Sequence, residues 1–165
     1  MPETRPKITL KFDGSNGPTN EWTCIGWAYL LEFEGGPALR SFGHKFVGKS
    51  NVTVAEFEGL LHGLKRLQSL RRLRMHLSTG GQAPENVPTF LVQGDSETVI
   101  DLLMQRDSSR VKQGLKPFYI EALKLLREID LSWKAEKISK PKNRECDGLA
   151  HAELEACLRE SISHS

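Results

Sequence analysis

Four acidic residues stand in settings that an ordinary surface acid seldom has: Asp13 in KFDGSNG, Glu56 in NVTVAEFEGLL, Asp95 in LVQGDSETVI and Asp147 in KNRECDGLAHAEL. Asp13, Asp95 and Asp147 fall where a predicted strand ends or a predicted helix begins, and Glu56 falls early in a helix. Carboxylates placed this way can converge on a hard divalent cation, which prefers oxygen ligands. Such a set can hold two ions for in-line displacement at phosphorus. The expectation is that all of them meet at one end of a sheet.

Each acid also has a structural role open to it. Asp13 precedes Gly14-Ser15-Asn16-Gly17-Pro18, strong turn chemistry, and an Asp there commonly bonds its own turn. Thr53 and Glu56 have the spacing of a capping box. Asp147 in a first helical turn is favoured by the helix dipole whether or not it binds anything.

The elements that must position these residues follow from periodicity. Ile8, Leu10 and Phe12 alternate with polar residues, so about Lys7–Asp13 reads as a half-buried strand whose polar face carries Asp13. Further strands are expected at Thr23–Phe33 and Arg40–Val47, joined through Glu34-Gly35-Gly36-Pro37, as an antiparallel meander. Val54, Phe57, Leu61 and Leu64 mark a helix from about Val54 to Arg74. A polar loop, Ser78–Pro88, precedes a buried strand at Thr89–Gln93 and a helix at Glu97–Gln105. Pro117 suits the first turn of a helix reaching Ile129, in a segment that looks helical from Lys112. A strand at Leu131–Ile138, a loop at Ser139–Asn143 and a helix at Arg144–Glu160 complete the chain. The order βββαβαβα implies an α/β fold: a mixed five-stranded sheet with helices on its faces.

The 165 residues suit one domain spanning 1–165, with an ordered core over about 7–160. No apolar run has membrane-spanning length, and MPETRPKITLKF has no signal-peptide core, so a cytoplasmic protein is expected. Cys24, Cys146 and Cys157 lack CxxC spacing and suggest reduced, packed thiols rather than disulfides or zinc ligands. Net charge is only +2, yet basic residues cluster at Lys65–Arg74, Arg106–Lys116 and Lys134–Arg144. Such patches around carboxylates suit a polyanionic substrate, although charge runs also serve as solvated helix faces.

Taken together, the segments resemble type 1 ribonuclease H. FDGS is similar to the family's first aspartate motif, NVTVAEFEGLLHGL to its glutamate-bearing helix, GDSETVI to its second aspartate motif and NRECDGLAHAEL to its final aspartate motif. The likeness spans about Ile8 to Leu158. It implies the ribonuclease H-like fold and cleavage of the RNA strand of an RNA–DNA hybrid, leaving 5′-phosphate and 3′-hydroxyl ends. It assigns Asp13, Glu56, Asp95 and Asp147 as catalytic metal ligands for two Mg²⁺ ions, with Mn²⁺ as a substitute. Glu58 is the rival to Glu56, but two residues along a helix it points elsewhere. Gly14, Ser15, Asn16, Thr53 and Lys112 are the candidates for substrate contact, the first three through RNA 2′-hydroxyls.

The sequence departs from that pattern in three places. The stretch before the helix reads Asn51-Val52-Thr53, Trp133–Gly148 contains no histidine, and no basic Trp-rich handle follows Asp95. It is thus similar to the shorter, handle-less members. Product release would rely on the Ser139–Asn143 loop, whose Lys140 and Lys142 could draw the departing phosphate. A monomer is expected. The competing readings are another nuclease of the same superfold and a non-catalytic hybrid-binding module.

Overall fold

The computed structural model describes residues 6–18, 23–48, 50–77, 87–105, 109 and 111–163. Most of the expected Ser78–Pro88 loop lies outside these residues, as do Arg106 and Arg110. Five strands form one sheet in the order β3-β2-β1-β4-β5. They are β1 (Lys7–Pro18), β2 (Thr23–Phe33), β3 (Ala38–Val47), β4 (Thr89–Gly94) and β5 (Trp133–Lys137). The first three are antiparallel neighbours, while β4 runs parallel to both β1 and β5. The helices are α1 (Val52–Leu77), α2 (Glu97–Gln105), α3 (Lys116–Ile129) and α4 (Arg144–Ser163).

Alternation along β1 sends Ile8, Leu10 and Phe12 into the larger core, where they meet Phe57, Leu60, Leu61 and Leu64 of α1. α3 adds Tyr119, Ala122, Leu125 and Ile129 to the same core. The opposite face of the sheet is covered by α4. There Cys146 and Ala150 pack on Ala28 and Leu30, while Leu154 and Cys157 pack on Cys24. All three cysteines are free and buried.

Three local expectations are corrected. GSNGP is not a turn: β1 continues through it, pairing Gly14 with Trp27, Asn16 with Ile25 and Pro18 with Thr23. The ladder to β2 overrides the turn chemistry, and the glycines leave room for the covering helices. The capping box at Thr53 and Glu56 does not form, because Asn51 caps α1 by accepting the Val54 N–H at 3.2 Å. That releases the Glu56 side chain for another use. The segment from Lys112 is not all helix: a turn over Gln113–Leu115 precedes α3, and Pro117 occupies its first turn.

Close helix–sheet approach depends on missing side chains. A Cβ on Gly26 would fall 2.2 Å from the Ala150 carbonyl oxygen and 2.5 Å from the Leu154 nitrogen, so α4 rests on β2 backbone to backbone. Gly26→Ala is expected to destabilise the protein by about 1–3 kcal/mol through overpacking. Chemical denaturation tests this, and an unchanged midpoint would refute the seating of α4 on β2.

Candidate functional site

The parallel register sets two of the acids side by side. Phe12 pairs with Gly94, so the next residues stand side by side on neighbouring strands, Asp13 within β1 and Asp95 just past the end of β4. Glu56 arrives from α1. A Cβ on Gly14 would lie 2.1 Å from the carbonyl carbon of Ala55, and one on Gly59 would lie 2.6 Å from the Asp13 oxygen. Only glycine at these contacts lets the first turns of α1 lie directly on the middle of β1. One carboxylate oxygen from each of Asp13, Glu56 and Asp95 consequently lies within 4.8 Å of the others.

Asp147 approaches from the opposite face. The chain leaves β5, makes a 3-10 turn over Lys140–Asn143 and enters α4. Asn143 is buried there, and its Nδ2 donates to the Phe12 carbonyl at 2.9 Å. This anchors the start of α4 one residue from Asp13. The exposed Asp147 stands close enough to Asp13 to help raise its carboxyl. It stands beside the group of three rather than inside it.

Burial dominates the electrostatics. Asp13 is 5% exposed and Glu56 8%. Desolvation, then the charge of Asp95, pushes the Asp13 carboxyl up to about 8; Asp147 adds to the rise and the Gly14 N–H opposes it. That N–H donates to Asp13 Oδ1 at 2.8 Å. Glu56 rises to about 7, again chiefly by burial, against a hydrogen bond from Ser96 and the charge of Lys140. Asp95 is raised by burial, opposed by Lys140 and reinforced by Asp147. Burial and the neighbouring acids therefore favour retention of a proton on Asp13. A divalent cation would replace it.

The residues fit such a cation. Every donor is a hard oxygen, and their spacing suits an ion with ligands at about 2.0–2.6 Å. Asp95 Oδ2 is buried with no hydrogen-bond partner, an acceptor still to be satisfied.

Glu58 is excluded from the group by its own partners. It pairs with Lys45 at 2.5 Å and with His62 at 3.5 Å, and His62 stacks on Trp27 with ring centroids 3.7 Å apart. Burial would raise the Glu58 carboxyl, but hydrogen bonds from His62 and Lys45 outweigh it and the net shift is downward.

The candidate substrate residues are only partly gathered. Gly14 is buried against α1, and its N–H is engaged by Asp13. Ser15 and Asn16 are partly buried on β1, past Asp13, and Thr53 lies one helical turn before Glu56. Lys112 is exposed; its backbone carbonyl accepts the Leu115 and Lys116 N–H groups before α3. Of the basic residues, Arg71 is committed to the structure, its Nε donating to the Ile129 carbonyl at 2.8 Å. His151 is exposed and pairs with Glu155 on its own helix.

Sequence reasoning gave no site role to Ser96, and met Asn143 only as the end of a product-release loop that is instead a 3-10 turn over Lys140–Asn143. Ser96 carried a signal as the residue preceding a helix, a preferred N-cap type. Asn143 carried none beyond its place in the last motif, since its partner is a distant backbone carbonyl.

No protein-family model and no curated protein matches the chain. Solved structures do match. Ribonuclease H1 from Halobacterium salinarum NRC-1 is 18% identical, with a TM-score of 0.65, covering 91% of this chain and 98% of that one. The N-terminal ribonuclease H domain of a Mycobacterium tuberculosis protein, solved as a fusion with maltose-binding protein, is 19% identical, with a TM-score of 0.67 and coverages of 93% and 99%. LC11-ribonuclease H1, isolated from compost by a metagenomic approach and solved in complex with an RNA/DNA hybrid, is 20% identical, with a TM-score of 0.67 and coverages of 92% and 99%. This chain has the ribonuclease H type 1 fold.

The raised carboxyl groups give a pH prediction for protein kept in chelator. Asp13 and Glu56 titrate higher in the folded state than at their ordinary values of 3.8 and 4.5. Between roughly pH 4 and pH 8 the native state therefore binds more protons than the unfolded chain, and this contribution to stability falls as pH rises. Denaturation midpoints across that range should decline more steeply for the wild type than for Asp13→Asn. Mg²⁺ should restore the wild type most at the alkaline end. Equal slopes for the two proteins would refute the buried, protonated cluster.

Proposed function

We propose that this chain is a metal-dependent endoribonuclease that hydrolyses the RNA strand of RNA–DNA hybrids, leaving 5′-phosphate and 3′-hydroxyl ends. The observation that carries this reading is the convergence of Asp13, Glu56 and Asp95 within 4.8 Å on a ribonuclease H fold. Asp147 beside Asp13 makes the fourth carboxyl.

In this reading the four carboxylates hold two Mg²⁺ ions, which Mn²⁺ can replace. When bound, the ions supply activation of the attacking water and stabilisation of the leaving 3′-oxygen. The chain's own groups do the rest. Asp13 and Asp95, fixed by strand register, set the floor of the site, while Glu56 and Asp147 close on it from opposite faces of the sheet. Lys140 is the cation whose charge bears on both Glu56 and Asp95. It favours their ionised forms and offsets the repulsion that a phosphate would meet. Ser15, Asn16 and Thr53 lie near the acids in the chain and are the candidates for recognising 2′-hydroxyls and the adjoining backbone, with Lys112 as a phosphate contact.

The test is hydrolysis of matched RNA–DNA hybrid, double-stranded DNA and double-stranded RNA in Mg²⁺. Cutting confined to the RNA strand of the hybrid is expected. Preferential cutting of DNA would favour another nuclease of this superfold, and tight binding without cutting would favour a hybrid-binding module. Asp95→Asn keeps the shape of the side chain but loses its charge. It should lower turnover by about 100-fold or more, roughly 2.7 kcal/mol of barrier, with the fold intact. Near-normal activity would sink the ligand assignment. His151→Ala, whose side chain is engaged with Glu155, should change turnover by less than about tenfold.

A further inference from the structure

The sheet face that carries α4 is unevenly covered, for that helix packs on β1, β2 and β3. Leu30, Lys11, Gln93 and Glu136 form one row of partners across β2, β1, β4 and β5. Residues in such a row point to the same face of the sheet. Leu30 is buried with Cys146 and Ala150 of α4. Further along the row the side chains turn polar, with Lys11 and Gln93 half-buried and Glu136 exposed. Here the row floors a cleft of about 580 Å³, walled by Lys137, Ser139 and Lys142.

The cleft is basic. Three lysines line it against one carboxylate, and that carboxylate, Glu136, already accepts a hydrogen bond from Gln93 Nε2. Lys11 reaches Glu32 at 3.4 Å and Lys137 reaches Glu97 at 3.8 Å, both acids being exposed. Solvated pairs of this kind contribute little energy and can give way to a phosphate. Among the described residues Lys142 has no acidic partner. Its neighbour Asn143 holds the wall in place, since its Nδ2 donates to the Phe12 carbonyl at 2.9 Å.

The cleft lies beside the carboxylate cluster, not within it. Asp13 is two residues beyond Lys11 on the same strand face, about 7 Å along β1. Asp95 is likewise two residues beyond Gln93. A strand with one phosphate at the acids therefore carries its neighbouring phosphate to the cleft, where cations replace the repulsion of the carboxylates.

We propose that the Lys11–Lys142 cleft binds the phosphodiester next to the scissile one on the strand being cut, supplying affinity without taking part in the chemistry. This rests on the ribonuclease reading above. It gives Lys142 a contact with the intact strand, in place of a pull on the departing phosphate.

The test follows hydrolysis of RNA–DNA hybrid over a salt series. The proteins are wild type, Lys11→Gln, Lys142→Gln, their double variant and Lys124→Gln, which removes an exposed lysine of α3 as a control. Each cleft substitution should raise KM about threefold or more and leave kcat within about twofold, as loss of uniform binding does. Each should also lessen the salt dependence of kcat/KM by about one phosphate contact. Lys124→Gln should do neither. An uncharged methylphosphonate linkage is then placed in the RNA strand on each side of the cut in turn. One placement should weaken the wild type and bring no further loss in the double variant, because that contact is already gone. If Lys11→Gln does not fold, Lys142→Gln on its exposed turn takes the place of the double variant.

An unchanged salt slope in Lys142→Gln and the double variant, or equal methylphosphonate effects in both proteins, overturns the proposal while leaving the nuclease reading intact. So does a loss confined to inhibition by the 5′-phosphorylated product, which would assign the cleft to released ends. A wild type that does not cut the hybrid overturns that reading and this proposal with it.

Discussion

Holding Asp13, Glu56 and Asp95 within 4.8 Å of one another, with two of them almost fully buried, is unfavourable without a cation or shared protons. Removing a carboxylate from water and facing it with another both favour the neutral acid. The rest of the molecule must hold this arrangement against relaxation. It does so with contacts that allow little play: strand pairing between β1 and β4, glycine-mediated contact between β1 and α1, and the Asn143 bond from the start of α4 to Phe12. The core beneath, with Leu10, Phe12, Phe57 and Leu64 almost fully buried, makes these elements stiff.

Polar links repeat the same logic at the periphery. On the α4 side, Arg40 of β3 pairs with Glu145 at 2.7 Å, and His44 bridges Glu153 at 2.5 Å and Glu160 at 2.9 Å. These bonds, Glu153 foremost, raise the His44 imidazole so that it is favoured in its charged form. On the α1 side, Lys45, Glu58 and His62 tie β3 to the helix that carries Glu56. The outer strand therefore braces both helices that deliver acids from off the strands. Of these pairs the exposed Arg40–Glu145 adds little stability by itself, while Glu58 and Glu153 are largely buried. Their value here is geometric, since each restrains rotation of a helix whose first turns carry an acid.

Much of the site was legible in the sequence because element type is encoded locally. Alternation in ITLKF and the short apolar run in TFLVQ identified strands leading to Asp13 and Asp95, and helical spacing identified the element bearing Glu56. The NRECD segment marked a helix start at Asp147. Local chemistry also misled. GSNGP has every attribute of a turn, yet it pairs as strand, because the ladder to β2 supplies its backbone hydrogen bonds. Thr53 and Glu56 have capping-box spacing, yet Asn51 takes the cap and Glu56 joins Asp13 and Asp95.

By itself, then, the sequence determined which residues are acidic, which elements carry them and on which polar faces they stand, for these are properties of a few neighbouring residues and their period. Only the tertiary structure decided that Asp13 and Asp95 stand side by side, which requires the Phe12–Gly94 register. It also decided that Glu56 rather than Glu58 enters the cluster, because Lys45 and His62 claim Glu58. The Asn143 link to Phe12 and the approach of Glu56 to Asp13 and Asp95 belong to that second kind as well. Each joins groups far apart in the chain, and whether such groups meet is set by helix–sheet distances that only the packed core and its glycine contacts fix.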